Sequence, residues 1–270
     1  MRHFASLVLL CSYFMLTVCL GLYTAHVTYP LMYPPPGQVQ VIEPIVADPQ
    51  DVSSTFWLFV YVIIVTAVML ALMRLGLGGI IQAAMYMSFF AGSFITFSAF
   101  LGEPAALTLS LASLAALLMR RGDLILANTA MVFTISGVGA ILGLSLGIWP
   151  VFAFIVLLSA YDYVAVFVTK HMVTLAKGSK GRFGLMFLVP VGDRMMGLGA
   201  GDVAIPTTFV VSVYVAHGIG YAVPTAYGGL IGVVSLFYYL MDREGATLPA
   251  LPPITAGLLI GYGLCLLILR

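Results

Sequence analysis

Charge is what this 270-residue chain has least of: eleven Lys and Arg and ten Asp and Glu make up 8% of it, against 62% hydrophobic residues and a mean hydropathy of +1.12. No soluble domain of this size could cover so apolar a chain with polar surface, which excludes a soluble enzyme and points to an integral membrane protein. A net charge of +1 supplies no basic field and removes nucleic acid as a partner. Cysteine is scarce too. Cys11, Cys19 and Cys265 all fall in apolar runs, unlike a disulfide framework or a thiolate metal site, and are expected as buried apolar fillers. None of His3, His26, His171 and His217 opens a His-Glu-x-x-His pattern, so the zinc-protease signature is missing and no metal or other cofactor is implied.

What is present is a series of long apolar runs. A bilayer core of about 30 Å needs about 20 apolar residues at about 1.5 Å each, and lipid admits only elements whose backbone groups are satisfied internally. The runs predict an all-α polytopic membrane protein with nine transmembrane helices at 5–25, 56–73, 77–101, 104–119, 124–147, 151–169, 195–221, 224–241 and 247–269. The run at 104–119 is short for a span, and the boundary near Pro224 has no charge to mark it. Arg2 and His3 before the first run resemble the start of a secretory signal. The run is long for a signal core, however, and Tyr23 stands where a cleavage site wants a small residue, so a retained first helix is the expectation.

Nine helices put the termini on opposite sides. With the N-terminus cytoplasmic, Arg2, Arg74, Arg120, Arg121, Lys170, Lys177, Lys180, Arg182, Arg194 and Arg243 all fall inside and only Arg270 outside, which satisfies the cytoplasmic bias of Lys and Arg. The C-terminus is then extracytoplasmic. The chain divides into an N-terminal membrane bundle at 1–169, a cytoplasmic loop at 170–194 and a C-terminal membrane bundle at 195–270, together one integrated membrane domain. The outer loop at about 26–55 carries Pro30, Pro34, Pro35 and Pro36, then an alternating Gln38 to Val41 stretch that suggests a short strand. In the basic 170–194 loop, the apolar insert Phe183 to Pro190 is too short to span; it suits an interfacial site that receives substrate, and equally a flexible tether with an interfacial anchor.

Only two of the ten acids lie well within apolar spans, Asp162 in the sixth and Asp202 in the seventh, where an ionised carboxylate is costly without neutralisation or water. Asp162 is eight residues before Lys170 and Asp202 eight after Arg194, so on antiparallel helices both sit about 12 Å inward from the cytoplasmic boundary. Consecutive helices are usually neighbours, which brings the carboxyl groups face to face. Two carboxyl groups a few ångströms apart in low dielectric share one proton, as in an aspartic protease: one activates a water, and the protonated partner polarises the scissile carbonyl.

The surroundings fit. Gly197, Gly199, Ala200 and Gly201 offer little side-chain bulk beside Asp202, and Pro206 leaves the Asp202 carbonyl without its helical partner. Tyr161 offers a hydroxyl next to Asp162, although an aromatic packed between helices serves as well. In the last span Pro249, Pro252 and Pro253 break the helix at a depth comparable to the aspartates, where irregular backbone belongs only if it is buried or lines a watery cavity. A proline cluster that simply starts a helix at the interface is the plainer account.

Tyr161-Asp162, Gly199-Ala200-Gly201-Asp202 and Pro249-Ala250-Leu251, in this order and spacing, resemble the presenilin and signal peptide peptidase family of GxGD intramembrane aspartyl proteases. The resemblance covers nearly the whole chain, and its compactness is most like an archaeal presenilin homologue, which implies the cell membrane of an archaeon. It implies that Asp162 and Asp202 are catalytic, that Pro249, Ala250 and Leu251 shape the site with Gly199, Ala200 and Gly201, and that the substrates are single-span transmembrane proteins cut within the bilayer. A homo-oligomer is compatible with it. Ala200 stands where presenilins commonly have Leu, and the N-in orientation sides with presenilin rather than the inverted signal peptide peptidases.

Intramembrane acids and broken helices also mark proton-coupled transporters, but these favour inverted repeats with paired broken helices, and the unusual residues here cluster in spans six, seven and nine. A prepilin-type peptidase also carries Gly-x-Gly-Asp, without the Pro-Ala-Leu element or this span count. Ser136 with His217 makes a conceivable serine-histidine pair, better explained by small polar residues packing helices.

Overall fold

The computed structural model describes residues 2–46, 48–51, 53–120, 122–169, 186–192, 194–241 and 248–269. Among them are nine α-helices: α1 (Arg2–Met32), α2 (Ser53–Arg74), α3 (Gly78–Leu101), α4 (Glu103–Met119), α5 (Leu124–Ser145), α6 (Ile148–Val164), α7 (Gly201–His217), α8 (Ile219–Met241) and α9 (Leu251–Ile268). Seven are long and apolar enough to cross a membrane, α6 with the π-helical residues that continue it to Phe167, while α4 and α7 stop at 17 residues each. The protein is a largely helical, multi-pass membrane protein. α6 runs on into a π-helical turn, Ala165–Thr169, and β1 (Met186–Val191) and β2 (Arg194–Gly199) form an antiparallel hairpin.

The helix limits follow from local chemistry. Asp123 caps α5 by accepting from the Ile125 and Leu126 N–H groups, and Gly102, at φ 74°, separates α3 from α4, whose first turn tolerates Pro104. Gly218, at φ 83°, closes α7. The boundary expected near Pro224 therefore lies at Gly218, and Pro224 sits inside α8. A left-handed glycine ends a helix outright, whereas a proline near a helix start removes only one hydrogen bond.

α5 is central, packed by α1, α3 and α7. Small residues set these approaches, because helices in lipid gain by close packing rather than by excluding water. A Cβ at Gly137 would lie 2.1 Å from the Gly92 carbonyl oxygen on α3, and one at Gly139 would lie 2.7 Å from the Thr207 methyl on α7. α8 and α9 meet in the same way at Gly228 and Gly257, each Cβ position 2.1 Å from the other's carbonyl oxygen. Gly228→Ala is expected to destabilise the bundle by about 1–3 kcal/mol through overpacking, visible as a lower melting temperature in detergent. Gly263→Ala, which meets nothing within 4 Å, should leave melting unchanged.

The hairpin departs from the all-α expectation. Of the loop expected at 170–194, residues 170–185 lie outside the described residues; 186–190 of its apolar insert fall in β1, and the first six residues placed in the seventh span belong to β2 or its end, so α7 begins only at Gly201. A two-residue connection joins the strands, with Gly192 at φ 63°, the backbone that a two-residue hairpin loop requires. Phe187, Val189, Val191 and Leu198 are buried, and Phe187 stacks on Tyr13 of α1 with ring centroids 5.7 Å apart. Gln38 to Val41, by contrast, form no strand: Val41 and Ile42 both donate to the Leu31 carbonyl at the end of α1. Of the three cysteines only Cys265 is buried, Cys11 being half-buried and Cys19 exposed on the bundle exterior.

Candidate active site

Below the two aspartates lies an apolar floor. Phe154 and Leu158 of α6 and Leu251 of α9 are buried together, flanked by Leu58, Phe59 and Val62 of α2 and Ile205 of α7. Asp162 lies one helical turn beyond Leu158, and Asp202 three residues before Ile205, so the packing that joins α6, α7 and α9 also brings the two acids together.

Asp162 sits at the end of regular α6, just before the π-helical turn, a distortion that concentrates at functional sites. Its Oδ2 accepts from the Leu251 N–H at 3.2 Å, and its carboxyl group also meets the Ala250 N–H. The sequence explains why these donors are available. The first N–H groups of a helix have no intrahelical partner, and Pro252 and Pro253 have none to offer, so the unmet donors at the start of α9 gather at Ala250 and Leu251. The expected break at the prolines is thus shorter than its sequence suggests: 248–250 are non-helical, while Pro252 and Pro253 sit in the first turn, where proline is tolerated.

Asp202 lies in the first turn of α7, immediately after β2. Its carboxyl group accepts from the Gly199 N–H, and a Cβ on Gly199 would stand 2.8 Å from Oδ2. A Cβ on Gly201 would meet nothing within 4 Å beyond its chain neighbours and its own helix backbone. Each acid therefore rests at a helix N-terminus, Asp202 in that of α7 and Asp162 against that of α9, where backbone dipoles favour negative charge. The two carboxyl groups are within electrostatic reach of each other. Equal residue counts to the charge boundary do not explain this juxtaposition, because 194–199 is extended, at about 3.3 Å per residue rather than the helical 1.5 Å.

The hairpin's hydrogen-bonding pattern bears on the same site. Leu188 pairs with Gly197 and Met186 with Gly199. The N–H and C=O of Leu188 both bond to the Asn128 side chain, away from β2, so this pair and its next-but-one neighbours are the non-hydrogen-bonded ones of the ladder. Gly197 and Gly199 accordingly present their N–H and C=O groups on the outer edge of β2, and the Gly199 N–H reaches Asp202 from that edge.

Tyr161 packs edge-on against Phe59 of α2, ring centroids 6.1 Å apart, in keeping with a packing role. Ala200 precedes α7 and packs on the main core with Ala250, while Pro249 lies in the non-helical segment. Ser136 and His217 do not meet: the serine donates to the Thr17 and Val132 carbonyls, and His217 pairs with Tyr262 at 3.0 Å. The sequence does not reveal the backbone donors at Gly199, Ala250 and Leu251, although the prolines beside Ala250 and Leu251 signal unmet N–H groups there. An apolar groove of about 690 Å³ between α8 and α9, lined by Val223, Tyr227, Ile231, Ile260 and Leu264 among others, contains none of the site residues.

The chain resembles known proteins in two ways. The family model described as signal-peptide peptidase, presenilin aspartyl protease matches residues 45–196, just over half of the chain, taking in Asp162 and ending before Asp202. No curated protein matches. A presenilin family intramembrane aspartate protease solved in space group C222 superposes with a TM-score of 0.66 and 22% identity, over 94% of each chain. A second such structure, in space group P2, gives 0.64 and 25% identity over 93% of this chain and 96% of the other.

Proposed function

This chain belongs to the signal-peptide peptidase and presenilin aspartyl protease family and is an intramembrane aspartyl protease, and from that premise we propose that Asp162 and Asp202 are its catalytic pair. Family membership favours proteolysis over the proton-coupled transport that two membrane acids also allow. The observation that carries the assignment is the packing of α6 on α7, which brings the two carboxyl groups within electrostatic reach of each other, each held by backbone N–H donors.

One carboxylate takes a proton from water, whose oxygen attacks the scissile carbonyl carbon. The protonated partner gives its proton to the carbonyl oxygen, forming a neutral gem-diol, and collapse of that intermediate passes a proton to the departing nitrogen. The Ala250 and Leu251 N–H groups fix Asp162, and the Gly199 N–H fixes Asp202, so neither carboxylate has to reorganise as charge moves.

The substrates are single-span transmembrane proteins. A helical peptide bond is shielded by its own hydrogen bonds, so the segment to be cut must unwind, and its freed backbone groups need partners in a water-poor setting. The outer edge of β2 offers them by strand addition at the N–H and C=O of Gly197 and the C=O of Gly199, whose N–H stays on Asp202, and this seats the substrate chain next to Asp202. The chain sits in the cell membrane of an archaeon with nine spans, the N-terminus cytoplasmic, the C-terminus extracytoplasmic, and the bundles α1–α6 and α7–α9 on either side of the segment that carries the hairpin. A homo-oligomer is compatible with this arrangement.

A peptide carrying a hydroxyl isostere in place of the scissile bond is expected to inhibit competitively, because the hydroxyl occupies the position of the attacking water between the carboxyl groups. Titration against cleavage of a single-span substrate in detergent checks this. Unaltered cleavage at saturating isostere would count against the assignment.

A further inference from the structure

The two edges of the hairpin are treated differently by the rest of the bundle. On β1, the buried Asn128 of α5 donates from Nδ2 to the Leu188 carbonyl at 2.8 Å and accepts at Oδ1 from the Leu188 N–H at 3.0 Å. A side-chain amide thus stands where the peptide group of a third strand would stand. Two residues further along the same edge, Pro190 has no N–H, and its carbonyl accepts from the Ser6 hydroxyl of α1. β1 is therefore sealed by two helices, while the outer edge of β2 runs toward Asp202.

We propose that Asn128 is a positioning residue of the protease: it closes β1 to strand addition and locks the hairpin register, so that an unwound substrate adds at β2 in fixed alignment with Gly199 and Asp202. The inference rests on the catalytic assignment above and goes beyond it by naming what selects the substrate's edge and register. Register matters because strand side chains alternate. A one-residue slip of β2 would turn Leu198 out of the core and swing the Gly199 N–H away from Asp202, and one of β1 would turn Phe187 and Val189 out of the core. Asn128 opposes that slip directly, since its amide fits only a residue whose N–H and C=O both face outward. In an apolar bundle, Leu188 would have no comparable partner without it.

The test is a pair of variants assayed beside the wild type on one single-span substrate, with products mapped by mass spectrometry. Asn128→Leu keeps the volume and removes both hydrogen bonds. It is expected to lower kcat by about tenfold, with KM little changed, and to spread the cuts over neighbouring peptide bonds. Asn128→Asp supplies a further readout, because a protonated carboxyl group donates and accepts as the amide does while the carboxylate only accepts. Its kcat relative to wild type at the same pH should therefore rise as pH falls, and this comparison holds even if Asn128→Leu fails to fold. A folded Asn128→Leu enzyme with wild-type kcat and unchanged cuts would overturn the proposal, as would an Asn128→Asp ratio that is flat with pH. Undiminished cleavage by Asp162→Asn or Asp202→Asn in the same assay would instead sink the catalytic assignment, which separates the two failures.

Discussion

Replacing either Asp162 or Asp202 by Asn is expected to lower kcat at least about a thousandfold while substrate binding stays close to that of the wild type. The substitution is nearly isosteric, and its amide oxygen can still accept from Leu251 N–H at Asp162 or Gly199 N–H at Asp202, so the ends of α6, α7 and α9 keep their packing. What disappears is proton exchange. An amide neither takes a proton from water nor gives one to a carbonyl oxygen, and the remaining carboxyl group cannot serve as base and acid in the same step. Melting temperature and binding of a hydroxyl isostere separate this from misfolding. A liposome assay of proton flux runs beside it: aspartate-dependent flux without proteolysis would point to transport, and full cleavage by either variant would reject the pair.

The second large effect concerns a single methyl group. Gly199→Ala places a Cβ 2.8 Å from Asp202 Oδ2, closer than real Cβ contacts allow, and the carboxyl group must move. The Gly199 backbone is not in the left-handed region, so alanine is acceptable to the chain itself and the collision falls on the Asp202 carboxyl group alone. Displacing a reacting group by about 1 Å is expected to lower kcat about a hundredfold. Gly263→Ala on α9, away from the site and with nothing within 4 Å of the added Cβ, should stay near wild type. Equal activity in the two variants would show that close contact with Gly199 does not set the position of Asp202.

How much of this was legible in the sequence depends on how local each signal is. Two acids in apolar spans announce themselves because charge is so costly there, and the glycines and prolines beside them mark backbone that cannot be ordinary helix. The helices follow from run length, though the break at Gly218 was obscured by Pro224. The hairpin was hidden by hydrophobicity on both faces: Met186 to Val191 has no polar alternation, although only Phe187, Val189 and Val191 are buried, in a strand packed on α1 and α5. Its one local sign is the Gly192-Asp193 dipeptide between two six-residue runs. Asn128, a lone amide in an apolar span, signalled a need for a partner, but nothing in one dimension names Leu188, 60 residues away. The same holds for Ala250 and Leu251 with Asp162: their N–H groups are visible as unmet, and only the fold shows the carboxylate that meets them.

The most direct measurement is the position of the cut. Purified protein is incubated in lipid with a single-span substrate, and both new termini are read by mass spectrometry for the wild type and for Asp162→Asn and Asp202→Asn. The account requires cleavage inside the apolar segment by the wild type and by neither variant; cuts confined to the flanking soluble sequence, or the same products from a variant, would contradict it.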